Sequence, residues 1–172
     1  HLVPLVERCR AKGIQFSCTP FYLEAVAELE PYVDFYKVAS YELLVSDLLK
    51  ACAATGKPVI LSTGMATMAE ITKAAATLKD AGARDVTLLH CVSAYPTPVA
   101  EANLSAIAAI RNATGLKTGW SDHTRRSAVI ERAVHHWGAS AVEFHLDLDG
   151  KGAEYAAGHC WLPQEIAPVI AR

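Results

Sequence analysis

The stretch "GWSDHT" (119–124) closes an apolar run and sets Ser121, Asp122 and His123 side by side, three side-chain types that serve acyl transfer, anion binding or metal ligation. A catalytic triad is excluded by geometry, because its base must lie between a nucleophile and an orienting acid that converge from separate parts of a fold. At the end of a strand, the two-residue period sends Ser121 and His123 to one face and Asp122 to the other. The same period in "VEFHL" (142–146) puts Glu143 and His145 on one face and Val142 and Phe144 on the opposite one. Two imidazoles from consecutive strand ends, completed by oxygen ligands or water, suit a divalent transition metal such as Mn, Fe, Co or Zn. Histidines that only hydrogen-bond to backbone or carboxylates are the competing reading, and spacing leaves both open.

Other polar residues interrupt apolar text in the same manner. Lys37 sits in "FYKVAS" (35–40), where an uncompensated ammonium is costly to bury. It snorkels outward, pairs with Glu42, or joins Ser40, Ser62 and Thr63 at an anion. The "STG" of 62–64, at a strand-to-helix junction, offers hydroxyls and closely approaching backbone to phosphate or carboxylate oxygens. In "LHCVSAYPTP" (89–98) His90 reads as a satisfied core histidine, while Ser93 stays open between a loop residue and a ligand contact. His135 and His136 suit the C-terminal dipole of a helix. Arg125 and Arg126 can reach an anion, but read rather as a solvated first helical turn. In "GHCWL" (158–162) His159 can close a pocket from a loop while Trp161 packs.

The elements that must position these groups recur as strand and helix. Strands are expected at 14–18, 35–40, 58–63, 85–91, 117–121 and 140–146, with starts spaced as in βα units. Between them, 68–82 carries Ile71, Ala74, Ala75 and Leu78 on one helical face and ends at Gly82; similar glycine stops stand at Gly13, Gly56, Gly115 and Gly138. Strands apolar on both faces and joined by helices indicate a parallel sheet, and no GxGxxG or GxxxxGK[ST] marks a nucleotide-binding open form. Thr19, Lys37, Ser40, Glu42, Ser62, Thr63, His90, Ser93, Ser121, His123, Glu143 and His145 all fall late in a strand or just after it. The C-terminal face of a (β/α)8 TIM-type barrel gathers such a ring into one pocket. Only about six βα units are present, so the expectation is a single partial barrel domain over 1–172 without its first two strands. The chain opens on His1 and helix-like text, which reads as a fragment beginning in mid-fold.

Composition narrows the partners. A formal net charge of −2 with scattered Lys and Arg gives no footprint for nucleic acid. Cys9, Cys18, Cys52, Cys91 and Cys160 show no CxxC spacing and read as reduced core residues, with no zinc cluster expected. No apolar run reaches the roughly 18 residues of a membrane span, and no basic-then-apolar signal opens the chain. The expectation is a cytoplasmic protein with no membrane partner.

Taken together, "TPF" (19–21), "KVASYE" (37–42), "KPVILSTGMAT" (57–67), "LHCVSAYPTP" (89–98), "GWSDHT" (119–124) and "VEFH" (142–145) resemble the sialic acid synthase family, which includes N-acetylneuraminate synthase and the legionaminic and pseudaminic acid synthases. The similarity runs from about residue 14 to residue 165. The resemblance implies a barrel that condenses phosphoenolpyruvate with an N-acetylated amino sugar of the N-acetylmannosamine type, giving a nine-carbon 2-keto sugar acid and phosphate. It assigns phosphoenolpyruvate contacts to Thr19, Lys37, Ser40, Ser62, Ser93 and Ser121. Glu42 matches a carboxylate near the reacting centre, and His123 and His145 match two ligands of a divalent metal, commonly Mn2+. Lys37, Glu42, His123 and His145 are the catalytic candidates. It further implies a homodimer in the full-length family context and a C-terminal antifreeze-like domain that this sequence lacks. Departures are Tyr22 after "TPF", Tyr41 before Glu42, and "KGAEYAAGHCWLP" (151–163) where a Gly-Pro-Asp-His-like stretch is usual. Two alternatives remain: another phosphoenolpyruvate-dependent condensation on a phosphorylated sugar, which would call for more arginines at strand ends, and a catalytically inactive barrel fragment with a binding or assembly role.

Overall fold

Each predicted strand after the first is followed by a helix, and the helix over 68–80 buries Ile71, Ala74, Ala75 and Leu78, the face read from its apolar spacing. The computed structural model describes residues 2–172. They fall into two compact units, one reaching Thr87 and one from Leu88 to Arg172. The first unit holds α1 (Leu2–Ala11), α2 (Leu23–Leu29), β1 (Tyr36–Val38), α3 (Ser46–Ala54), β2 (Val59–Ser62), α4 (Met68–Asp80) and the foot of β3 (Val86–Cys91). The second continues β3 and adds α5 (Ser105–Thr114), β4 (Lys117–Asp122), α6 (Ser127–His135), β5 (Val142–Leu146), α7 (Ala153–Ala157), β6 (Cys160–Trp161) and α8 (Pro163–Ile170).

In the first unit β1 and β2 pair in parallel with Lys37 opposite Ile60, and the Val59 N–H donates to the Asp85 carbonyl at the foot of β3. Their buried residues, Tyr36, Val38, Val59 and Leu61, form a core with Leu48, Leu49 and Cys52 of α3 and Ile71, Ala74 and Leu78 of α4. α4 starts at a capping box. Thr67 Oγ1 accepts from the Glu70 N–H, and Glu70 Oε2 accepts from the Thr67 N–H, satisfying donors that the first turn leaves orphaned.

The expected strand at 14–18 does not form, and that expectation is corrected. The Phe16 carbonyl takes the Asp34 N–H, but Asp34 Oδ2 takes the Phe16 N–H at 2.7 Å and Ser17 Oγ donates to the Phe35 carbonyl. Side chains thus occupy positions that a backbone ladder would need, and Ile14 is exposed rather than packed.

In the second unit the strand order is β3-β4-β5-β6, with β4, β5 and β6 pairing in parallel. Ser121 lies opposite Glu143, Asp122 opposite Phe144, His145 opposite Cys160 and Leu146 opposite Trp161. One face of this sheet carries Trp120, Phe144 and Trp161 into a core with Ile107, Val129, Ile130, Ala133 and Ile166. The opposite face carries Ser121, Glu143 and His145. β4 and β5 approach closely at Gly119, where an added Cβ would run into the Ala141 carbonyl oxygen and Leu89. β6 was not anticipated: two residues carry too short a pattern to read as a strand. Among the described residues no helix is long and apolar enough to cross a membrane.

Candidate functional site

The end of β4 is built around Asp122, which is fully buried. Its Oδ1 accepts from Trp120 Nε1 and from the N–H and hydroxyl of Thr124, and its Oδ2 from Trp161 Nε1 and the Arg125 N–H. A carboxylate with this many donors is a structural knot. Its neighbours Ser121 and His123 project to the other side, as the strand period requires.

On that side the aromatic rings of the second unit cluster. The centroids of His123 and His145 lie 5.2 Å apart, and those of His145 and His159 lie 4.9 Å apart at 81°. Tyr95 lies over His123 with centroids 4.0 Å apart and meets His159 edge-on at 5.2 Å. Ser121 donates to Glu143 Oε1 at 2.7 Å, which fixes that carboxylate two residues before His145 on the same strand face.

Protonation follows from these partners. His123 Nδ1 lies 2.9 Å from the Val92 carbonyl, and a carbonyl only accepts, so Nδ1 carries the proton and Nε2 keeps a free lone pair. Burial pushes the His123 pKa below its ordinary value, opposed by that hydrogen bond and by the charges of Asp122 and Glu143. Burial also lowers His145, reinforced by repulsion from His123 and His159. The lowering favours the neutral form of both rings, the form that binds a cation. Two imidazoles with metal–nitrogen bonds of about 2.1 Å hold their ring centres roughly 5 Å apart. The 5.2 Å observed for His123 and His145 fits a shared ion.

His90 has the satisfied arrangement expected, with Nε2 at 2.9 Å from the Ala102 carbonyl and its ring near Trp120. Ser93 is half-buried in the loop after β3. Arg125 corrects the solvated-turn expectation. Its guanidinium pairs with Glu165, donates to Tyr155 and lies 4.5 Å above that ring, so it ties α6's approach to α7 and α8. A cavity of about 570 Å³ lies between Pro96–Val99, Thr124–Arg126, Trp161 and Glu165. None of the three histidines lines it.

Within the first unit, Lys37 is the middle residue of β1, Ser40 and Glu42 lie just past its C-terminal end, and Ser62 ends β2. Lys37 Nζ donates to the Val38 carbonyl, and Ser40 Oγ accepts from the Gly64 N–H at 3.0 Å. Ser62 Oγ and Glu42 Oε2 are buried and have no hydrogen-bond partner in the protein. Such atoms are rare exceptions in folded proteins and mark a ligand or water position. Thr19 is half-buried in the segment that follows the strand-less stretch. Tyr41 is 71% exposed and does not fill the space beside Glu42.

Sequence reasoning missed Tyr95, Glu154 and Cys160 as neighbours of the histidines. Cys160 is buried, and burial raises its thiol pKa. No cysteine pair announces it, because its companions come from strand register.

With the geometry in place, comparison with known proteins identifies relatives. A model of the NeuB family matches residues 1–172. The chain is 40% identical to the N,N'-diacetyllegionaminic acid synthase of Campylobacter jejuni over 84% of its own length and 44% of that protein. It is 38% identical to the pseudaminic acid synthase of Helicobacter pylori over 84% of its length and 43% of that protein. A crystal structure of the N-acetylneuraminic acid synthetase of Leptospira borgpetersenii superposes with a TM-score of 0.91 at 34% identity, over 98% of this chain and 59% of that one. The chain thus spans less than half the length of these two curated relatives. Its alternating strands and helices have the TIM-barrel type of fold, as expected, with six strands among the described residues.

Proposed function

The chain belongs to the NeuB family, and from that membership we propose that it is part of a synthase that condenses phosphoenolpyruvate with an N-acetylated amino sugar. The third carbon of phosphoenolpyruvate bonds to the sugar's carbonyl carbon, water adds to the second carbon, and collapse breaks the bond to the phosphate oxygen. The products are a nine-carbon 2-keto sugar acid and inorganic phosphate.

The convergence of His123 and His145 carries this reading. They would hold a divalent cation, Mn2+ in our reading, which supplies Lewis-acid polarisation of the sugar's carbonyl. The Val92 carbonyl holds the His123 ring in the tautomer with Nε2 free, and Ser121 keeps Glu143 turned beside His145. In the first unit the Lys37 ammonium and the hydroxyls of Ser40 and Ser62 are suited to anionic oxygens, and the unpartnered Ser62 Oγ has a hydrogen bond to give. Glu42, with one buried unpartnered oxygen, is suited to hold or move a proton.

The test is phosphate release from phosphoenolpyruvate with N-acetylmannosamine or diacetylated bacterial amino sugars, with and without Mn2+, in the full-length protein. Release should need the metal and the sugar and should be lost in His123→Ala/His145→Ala. Release that survives the double substitution, or ignores the metal, would overturn the reading.

A further inference from the structure

The short strand β6 does more than close the sheet of the second unit. Its parallel register sets Cys160 opposite His145, and register partners in a parallel pair share a face. His159, one residue earlier, is 4% exposed, with its ring centre 4.9 Å from that of His145. One donor atom each of His145, Glu154, His159 and Cys160 lie within 4.8 Å of one another.

A core role accounts poorly for this group. Glu154 Oε2 lies 3.0 Å from His159 Nε2, and a carboxylate only accepts, so Nε2 carries the proton. The remaining nitrogen, Nδ1, keeps its lone pair and is buried with no partner in the protein. Buried polar atoms are seldom left in that state unless something else binds them. A histidine whose far nitrogen donates to a carboxylate is also the arrangement that orients imidazoles toward metals.

We propose that His145, His159 and Cys160 form a site for a thiophilic divalent cation of the zinc class, with Glu154 anchoring the His159 ring. Two imidazoles and a thiolate are borderline-soft donors that favour Zn2+ or Co2+ over Mn2+. Three protein donors leave one position of a tetrahedral ion open. Donors on such an ion stand roughly 3.3 to 3.8 Å apart, so a cluster within 4.8 Å closes on it by about 1 Å through side-chain rotation. Binding displaces the thiol proton to solvent, and no redox change occurs. The site shares His145 with the condensation reading; a neutral imidazole has one lone pair, so the two ions compete for that ring, and the present site stands without that reading.

Titration of the metal-free protein with Co2+, followed by absorption, tests the proposal. One equivalent should give the near-ultraviolet sulfur-to-cobalt charge-transfer band, and Zn2+ should displace it. Cys160→Ser should abolish the band. Glu154→Gln, a change at an exposed position, should weaken Co2+ binding by about 10- to 100-fold, as loss of outer partners does. His123→Ala should keep the band. Absence of the band in the unsubstituted protein overturns the proposal, and so does its persistence in Cys160→Ser. If binding vanishes in His123→Ala yet survives in Cys160→Ser, the cation lies between His123 and His145; the present proposal then falls while the condensation reading keeps its metal. Should Cys160→Ser fail to fold, the cobalt spectrum of the unsubstituted protein and the Glu154→Gln affinity decide the matter.

Discussion

Replacing Asp122 by Asn should loosen the end of β4 without touching any histidine. The buried carboxylate serves Trp120 Nε1 at 3.0 Å, the Thr124 N–H at 3.1 Å and the Thr124 hydroxyl at 2.7 Å through Oδ1, and Trp161 Nε1 at 3.1 Å and the Arg125 N–H at 3.2 Å through Oδ2. An amide keeps one acceptor oxygen, and if that oxygen retains the Oδ1 set, its NH2 faces the indole of Trp161 and the Arg125 N–H. Two orphaned buried donors at about 1–3 kcal/mol each come to roughly 2–6 kcal/mol. Local relaxation brings the expected loss to about 2–4 kcal/mol. Asp122→Ala strips all five donors of their acceptor and should cost more. All three tryptophans of the chain, Trp120, Trp137 and Trp161, lie in the second unit, so their fluorescence through a urea titration reads the stability of that unit. An Asn variant within about 0.5 kcal/mol of the parent, the range of unremarkable surface changes, would refute the assignment of Asp122 as the knot. So would equal losses for Asn and Ala.

Two further outcomes follow from single residues. Burial holds the His90 imidazole below its ordinary pKa of 6.5, partly opposed by its bond to the Ala102 carbonyl. With the native value depressed, the unfolded chain binds more protons; the contribution is complete above about pH 6.5 and is lost as pH falls through the lower native value. The thermal midpoint should therefore drop from about pH 7.5 to about pH 5, and less steeply in His90→Asn; an unchanged slope would show that His90 contributes nothing. Gly119→Ala puts a methyl group against the Ala141 carbonyl oxygen and Leu89, and β4 must shift from β5. The cost should reach about 2–3 kcal/mol in the same urea titration, and an unaffected variant would mean that the two strands have slack there.

The alternation of strand and helix was legible because each strand's burial and each helix's apolar face depend on local spacing. The face of α4 was readable residue by residue, and Gly13, Gly56, Gly115 and Gly138 all take the positive φ expected at chain reversals. The expected strand at 14–18 failed for a reason that local text does not show. Whether an apolar run becomes a strand depends on a neighbour offering backbone groups, and here Asp34 and Ser17 offer side chains instead. The reverse error occurred at β6, where two residues form a strand because β5 presents an edge, despite the brevity of their own pattern.

The same distinction separates the legible half of the site from the hidden half. His123 and His145 could be paired in advance because consecutive parallel strands end together, so a residue at one strand end neighbours its counterpart on the next. His159 was readable as a residue that closes a pocket from a loop, but Glu154 and Cys160 could not be placed beside His145, because they meet it across a turn and a short helix whose path decides the register. Metal motifs read along a chain presume donors a few residues apart, as in CxxC, where a loop or helix fixes their separation. Register removes that limit: His145 and Cys160 lie side by side because Leu146 pairs with Trp161 and Trp161 is held by Asp122. The knot that orders the end of β4 therefore also fixes which sulfur stands beside which imidazole. A substitution at Asp122 should accordingly disturb the cobalt charge-transfer band even though Asp122 faces away from the cluster, and an Asn variant with an unaltered band would separate the fold's support from the site's geometry.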